Sequence, residues 1–339
     1  MAEPGPDRAF ASAPCGPEPR AARAWVEVDL WTFLRQLRVA RRRVWLRATG
    51  DLRLPAFQGA LWHSVVGAAL KRLVCTVPPG VCAPCPERRR CAYAALFEAR
   101  AAEEDSGPFA PGTRVPGALW FDPGAWKPTT VPAGAPLIVD YAVAGRVELV
   151  PLVDEAIARA AAAGFGPARV RAAVDSVDER PGTVADAVDG AVGAPGPVEL
   201  TLVTPLRLKR GGSYLRALEP AALARDVAFR AAALGHYHQG LPWPVPWRAA
   251  LEEARAARVA DAATRWVESI RYSARQRREI VMGGLLGRAR LEEVGPALAA
   301  LLGAGTVIHA GKGVSVGLGE FRASWSYGGD DDDRAHATP

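Results

Sequence analysis

Apolar and polar positions along this chain change period in an order that repeats. A strand is predicted around Arg43–Ala48, followed by a Pro-containing loop and a helix over Gln58–Val74. After an insertion come a strand near Pro136–Val143, a helix near Val153–Ala163, the glycine turn Gly164-Phe165-Gly166 and a strand over Ala168–Val177. The second half follows the same plan. Strand Val198–Val203 precedes a helix around Pro220–Gly235; then come strand Ile270–Ile280, helix Leu291–Gly303, a glycine-rich turn and strand Val314–Trp325. Gly190–Pro197 (GAVGAPGP) reads as the linker between the halves. Two β-α-β-β-α-β units in tandem fit this order, which makes the expected fold class α+β, with antiparallel sheets and helices on one face. The domains are placed at residues 25–192 and 197–326, and residues 1–24 and 328–339 are read as disordered tails.

Size and charge narrow the partners. At 339 residues, 49% of them hydrophobic, the chain can bury two cores. It contains no run of 18 apolar residues, so no membrane partner is expected. No basic-then-apolar leader opens it, so a cytoplasmic location is expected. The net charge of +6 is uneven: Pro197–Tyr327 holds 18 Lys/Arg against 11 Asp/Glu, while Asp330, Asp331, Asp332 and Asp333 make the tail acidic. A positive C-terminal half favours a polyanionic partner over an acidic metabolite. A coding bias toward arginine, with solvated charges, is the alternative.

That half also carries the densest motif, Gly311-Lys312-Gly313-Val314-Ser315-Val316-Gly317-Leu318-Gly319. Glycines allow close backbone approach, and consecutive N–H groups can cradle an anion, so phosphate is the expected ligand. The loop is not a P-loop, because five residues separate Gly305 from Gly311 and Gly313 takes the Ser/Thr position. Nor does it follow a strand and open a helix as a dinucleotide loop must. A purely structural β-turn remains open. Cys75, Cys82, Cys85 and Cys91, spaced C-x6-C-x2-C-x5-C, suit tetrahedral coordination of a structural zinc, with an iron–sulfur cluster, two disulfides or four free thiols as alternatives.

Several segments together resemble one family. Phe57-Gln58-Gly59-Ala60-Leu61 with Gly67-Ala68-Ala69-Leu70 is similar to the first-helix motif of RAMP-type CRISPR proteins, and it runs directly into the cysteine cluster. Thr204-Pro205-Leu206-Arg207-Leu208-Lys209 resembles the opening strand of that family's second domain. Tyr272-Ser273-Ala274-Arg275-Gln276-Arg277-Arg278, Gly283-Gly284-Leu285-Leu286-Gly287 and the terminal glycine loop complete the likeness, over roughly residues 30–325. The resemblance is to CRISPR precursor-RNA-processing endoribonucleases of the sixth CRISPR-associated type, in the four-cysteine subgroup. It implies two ferredoxin-like (RRM-like) domains, selective binding of CRISPR repeat RNA, one cut per repeat, and delivery of the guide RNA to other subunits of a CRISPR effector complex. A monomer or homodimer fits equally. Trp62-His63-Ser64 departs from the Arg or Gly common at that place in the family, and catalytic residues vary there, so none transfers automatically.

RNA supplies its own nucleophile, the 2′-hydroxyl, so cutting needs only a base, an acid and stabilisation of charge on phosphorus oxygens; no cofactor is required. His63, on the first helix, is read either as base or acid or as a packing histidine. Lys71 lies about 80° around and ~12 Å along that helix, able to flank a phosphate backbone with it. Tyr272 could donate to the leaving oxygen. His309 either points at RNA or pins the glycine loop, and His236 and His238 read as capping or exposed residues. Arg275 and Arg277 would share one strand face and Arg278 the other, tracking phosphates beside a second basic turn, Lys209-Arg210. Gly311, Lys312, Gly313, Ser315, Gly317 and Gly319 complete the RNA-binding set. A non-catalytic guide-RNA-binding subunit and a metal-dependent nuclease are the competing readings.

Overall fold

In each half the first strand turns one apolar face toward helices, and this makes it the interior strand of a sheet. The computed structural model describes residues 29–77, 82, 84–105, 107–124, 128–166, 168–193, 196–243, 247–268, 270–273 and 278–325, with backbone only over 270–273 and 278–281. The predicted tails lie outside these residues. The first half runs α1 (Leu30–Arg35), β1 (Val39–Ala48), β2 (Leu52–Leu54), α2 (Gln58–Val74), α3 (Ala92–Phe97), β3 (Leu119–Asp122), β4 (Thr129–Val131), β5 (Pro136–Ala144), α4 (Val150–Ala163), β6 (Ala172–Glu179) and α5 (Val184–Val192). The second runs β7 (Val198–Leu206), β8 (Lys209–Arg210), β9 (Ser213–Tyr214), α6 (Pro220–Leu234), α7 (Arg248–Ala256), β10 (Arg258–Val267), β11 (Ile270–Ser273), β12 (Arg278–Val281), β13 (Gly284–Glu292), α8 (Pro296–Ile308) and β14 (Phe321–Trp325).

The two main sheets share one topology. Their orders are β3-β5-β1-β6 and β10-β13-β7-β14, antiparallel throughout. Within each half the four strands therefore lie second, third, first, fourth. This is the ferredoxin-like order expected from the sequence pattern. On β1, Val44, Leu46 and Ala48 face Leu137, Val139 and Tyr141 of β5 and the buried Trp62, Val66, Leu70, Val153 and Ile157 of α2 and α4. In the second half Val198, Leu200 and Leu202 meet Leu285, Ala289 and Leu291, under α6 and α8. Helix α8 (PALAALLGAGTVI) is apolar all round and is accordingly covered on every side, by α1, α5, α6 and α7 as well as the sheet.

The structure departs from the sequence pattern in several elements. Helix α5 occupies part of the expected linker. Thr183 and Asp186 close a reciprocal capping box at its start, and Gly303 of α8 lets its Ala187 carbonyl approach. Helix α7, edge strands β3 and β10 and inner strand β13 were not anticipated, and the helix expected over Leu291–Gly303 lies over Pro296–Ile308, because Leu291 and Glu292 end β13. The strand expected from Val314 begins only at Phe321, because Gly313, Gly317 and Gly319 have φ of +92°, +86° and +77° and cannot continue a ladder. The single strand over Ile270–Ile280 is instead a hairpin, in which Ile270 pairs with Val281 and Ser273 with Arg278.

The domains are locked together at two places. Trp120, Ala142 and Ala144, on the outer face of the first sheet, are buried in the second domain's core. At the other, α2 begins against the terminal loop: a Cβ on Gly59 would stand 2.0 Å from the Val316 carbonyl oxygen. Gly59→Ala should therefore destabilise the protein by at least about 2 kcal/mol in urea unfolding. Gly190→Ala, in α5 with open space around it, is the control and should be neutral or slightly stabilising.

Candidate nucleic-acid site

Helix α2 carries Gly59, His63, Gly67 and Lys71 at intervals of four. Positions four apart drift only about 40° around a helix, so they form one stripe. Gly59 abuts the terminal loop, and His63 follows one turn on, half-buried, its ring centroid 4.9 Å from that of Phe97 with the planes at 60°. Phe97 rests on the helix where Gly67 has no side chain; a Cβ there would lie 2.9 Å from its ring. Tyr93 stacks on Phe97 at 5.3 Å and 6°, and the Lys71 ammonium lies 5.4 Å from the Tyr93 centroid. His63 and Lys71 are thus bridged by two rings of α3. Ser315 enters the same neighbourhood from the loop: its Cβ and the Leu96 carbonyl both lie within 4 Å of where a Gly117 side chain would start.

The glycine loop itself is more interlocked than an open anion cradle. The N–H groups of Ala310, Lys312, Val316, Gly317, Leu318 and Gly319 donate to backbone carbonyls, and that of Glu320 donates to Thr204 Oγ1. The four glycines serve close backbone approach: a Cβ on Gly319 would fall 1.7 Å from the Ala310 carbonyl oxygen, and one on Gly311 2.8 Å from that of Arg207. Gly317 packs on Pro123 of the first domain. Lys312 is exposed and Ser315 half-buried. The structural reading of the loop thus accounts for its glycines, and the surface it offers a ligand centres on Lys312 and Ser315.

Beside the loop stands a basic and aromatic wall, of which the sequence pattern singles out Lys209 but not the aromatic rings or Arg216. The Arg207 guanidinium lies 4.5 Å from the Tyr214 ring centroid and the Lys209 ammonium 4.6 Å from it. The Arg216 guanidinium lies 3.8 Å from that of Trp266. The Lys312 N–H donates to the Arg207 carbonyl at 3.0 Å, tying the wall to the loop. Arg210 is spent on Glu219, at 2.6 Å. Tyr272 and Arg278 lie on the two strands of the β11–β12 hairpin, while Arg275 and Arg277 fall outside the described residues. The described residues of this segment thus form two paired strands, Ile270–Ser273 and Arg278–Val281, in place of the single strand expected.

His309 does not point at solvent. It caps α8 with φ +63°, is 2% exposed, and places Nε2 3.5 Å from Asp122 Oδ1 across the domain seam. Burial, reinforced by Arg230, Arg41 and Arg180, pulls its pKa down to about 4 despite the opposing Asp122. Arg230, 7% exposed, donates through Nε to the Ile308 carbonyl at 2.6 Å and lies over Trp120. Arg180 bridges Asp122 and Asp140, and Arg43 grips Asp140 with two bonds of 2.8 and 2.7 Å. Burial and the Asp122 charge push Glu320 up to about 7 in the same seam. His238 is also buried, with Nε2 2.6 Å from the Pro116 carbonyl, and His236 Nδ1 meets the Leu241 carbonyl at 3.0 Å.

Cys75, Cys82, Cys85 and Cys91 are all unbridged thiols. Cys75 ends α2 and Cys91 caps α3. Burial raises the Cys91 thiol pKa, and Cys75 and Cys82 add to the effect as neighbouring charges. The donor chemistry suits a thiophilic ion, but no three His, Cys, Asp or Glu side chains among the described residues close a metal site. Residues 78–81 and 83 of this segment are outside those described. Among the described residues no helix is long and apolar enough to cross a membrane.

Two tandem ferredoxin-like domains, with a histidine-bearing helix and a cationic, aromatic wall meeting at the terminal loop, define a class of RNA-handling proteins. Residues 200–321 match the family of the CRISPR-associated endoribonuclease Cas6, and residues 37–193 match a family described as an N-terminal domain. The second domain is thus a Cas6 endoribonuclease family domain. In fold it is similar to a Cas6 product complex (TM-score 0.54, 15% identity, 85% of this chain and 100% of that one). It is similar too to Thermus thermophilus Cas6 (TM-score 0.50, 14% identity, 85% and 99%). A partial Cas6-RT-Cas1–Cas2 complex contains a further likeness (TM-score 0.52, 11% identity, 88% of this chain and 47% of that one). No curated protein matches the sequence.

Proposed function

We propose that this endoribonuclease processes CRISPR precursor RNA, binding the repeat across the Arg207–Tyr214–Trp266 wall and the Lys312 loop and cutting beside α2. The observation that carries this reading is the α2 stripe, in which a half-buried imidazole at His63 lies one turn from the loop and an ammonium at Lys71 lies two turns further. The 2′-oxygen attacks phosphorus as the P–O5′ bond breaks. His63 takes the 2′-hydroxyl proton or returns one to the departing 5′-oxygen, and Lys71 sits against the phosphate charge. Tyr272 is the second candidate proton donor. The ends formed would be a 2′,3′-cyclic phosphate and a 5′-hydroxyl. No metal enters this chemistry; the four cysteines, which begin one turn past Lys71 at the end of α2, would hold a structural zinc. The likeness to a chain of a Cas6-RT-Cas1–Cas2 complex supports assembly with other CRISPR proteins.

The test uses hairpin CRISPR repeat RNAs, with and without a 2′-deoxy substitution at the scissile nucleotide, in EDTA. Cleavage should persist in the chelator and vanish with the deoxy substitution, and metal analysis before and after should report protein-bound zinc. Cleavage that stops on chelation while the fold survives would replace this mechanism with a metal-dependent one. Tight binding with no cutting would make the protein a guide-RNA-binding subunit.

A further inference from the structure

Tyr93 and Phe97 are neither core residues nor solvent-facing ornaments. They leave the cysteine-bearing segment four residues apart on α3, and both remain half-buried while Trp62 and Leu70 of α2 fill the core beneath. Their rings are parallel to within 6°. The arrangement has been given room at a cost, because Gly67 sits in the middle of α2, where glycine weakens a helix by about 1 kcal/mol relative to alanine. Any larger residue there would meet the Phe97 ring at 2.9 Å or less. The local charge suits a polyanion: Glu98, the acid beside Phe97, is paired with Arg114, while Lys71 and Arg72 stand on the last turn of α2.

We infer that Phe97 and Tyr93 form a nucleobase platform, on which an unpaired base flanking the cut phosphodiester stacks so that its backbone is held between His63 and Lys71. The inference rests on reading His63 as the proton-transfer group, and it extends that reading by assigning the base contact to the segment that carries the cysteines. Single-stranded positions of an RNA are the ones whose bases are open to such stacking, and aromatic side chains hold them whatever their identity. The platform would therefore contribute alignment and affinity with little sequence preference. An imidazole at one end and an ammonium at the other, ~12 Å apart along the helix, place a proton carrier and a cation on the two sides of the stacked nucleotide.

The experiment places 2-aminopurine singly at each unpaired nucleotide of a hairpin CRISPR repeat RNA and follows its fluorescence on binding. Wild-type protein should quench one position next to the cut several-fold. In the Tyr93→Leu/Phe97→Leu double variant that quench should disappear and single-turnover cleavage fall about tenfold or more. The salt dependence of binding should stay unchanged, since no charge is removed. Phe97→Trp should restore both signals, which separates a lost ring from a lost fold, and Gly67→Ala should weaken the quench by crowding the ring. His63→Ala keeps the quench while losing cleavage; if it cuts normally and still quenches, the catalytic reading fails and the platform stands. Absence of quenching at every position, or quenching that survives in the double variant, overturns the platform.

Discussion

His63→Ala is expected to slow single-turnover cleavage of repeat RNA by about 10²–10⁴-fold, with affinity for the RNA within about twofold of wild type. The size follows from what is removed. Positioned proton transfer contributes that much, and the nucleophile, the phosphate contacts and the Lys312 surface stay in place. The split between rate and affinity matters more than the loss alone. His63 touches Phe97 rather than filling the core, so its removal leaves the packing of Trp62 and Leu70 intact. A variant that lost affinity and melting temperature together would show a packing histidine, and unimpaired cleavage would remove His63 from the chemistry. Lys71→Ala separates the other end of the stripe: loss of a cation at the phosphate should lower cleavage and also reduce the salt dependence of binding by about one ion.

The second large effect concerns the seam between domains. Glu320→Gln should stabilise the protein at pH 7 and above by about 2–3 kcal/mol and change nothing below about pH 4.5. Glu320 has a folded pKa raised to about 7 from 4.5, so its stabilising contribution is present while it holds a proton and is lost as pH rises through 7. The buried His309 and His238 behave oppositely. Each is drawn down to about 4 from 6.5, so their contributions are present above 6.5 and lost as pH falls through 4. Between roughly pH 4.5 and 6.5 the carboxyl and the two imidazoles pull in opposite directions, and wild-type stability changes less than the two imidazoles alone would dictate. Removing Glu320 leaves the histidines unopposed, so the variant should show a steeper rise from pH 4 to 6.5 and then a plateau. The groups facing Glu320 are Asp122, Arg180 and Arg41 from the first domain and Arg322 beside it. Urea midpoints measured every half pH unit for wild type, Glu320→Gln and His309→Asn decide it. Parallel curves for wild type and Glu320→Gln would show that the carboxyl is ionised freely in the folded protein.

Much of the fold was legible because it depends on local periodicity. Helix α2 was readable to its ends, and the strand–helix–strand order of each half was enough to imply a tandem repeat of one topology. Helix α5 was missed because GAVGAPGP has the composition of a linker, while the capping box and the groove at Gly303 that make its first part helical involve residues outside that stretch. The closing strand was drawn too long because Val314, Val316 and Leu318 alternate like a strand, although the glycines between them take left-handed backbone that no ladder accepts.

The candidate site divides along the same line. His63, Lys71, Lys312 and the four cysteines stood out by residue type and spacing alone. Tyr93 and Phe97 were visible as letters at helical spacing, but nothing in the sequence said that Gly67 would admit one of them against α2. Tyr214 and Trp266 are 52 positions apart, and their ring centroids come within 6.3 Å only because β9 and β10 meet beside the loop. His309 sits next to glycines and a lysine in the sequence, yet its neighbours in space are Asp122 and Trp120 of the other domain.

By itself, then, the amino-acid order determined two βαββαβ units, a cationic second half and a short set of residues capable of proton transfer or thiol ligation, because each of these is written in composition and in spacings of two or four. Which of those residues meet was decided only in three dimensions. Burial turned His309 from a ligand contact into a seam residue, backbone contact turned the glycines into a clasp, and packing of α3 on α2 set two rings between His63 and Lys71. Contacts between distant segments depend on what each position leaves room for, and that is a property of the packed surfaces rather than of any one stretch of chain.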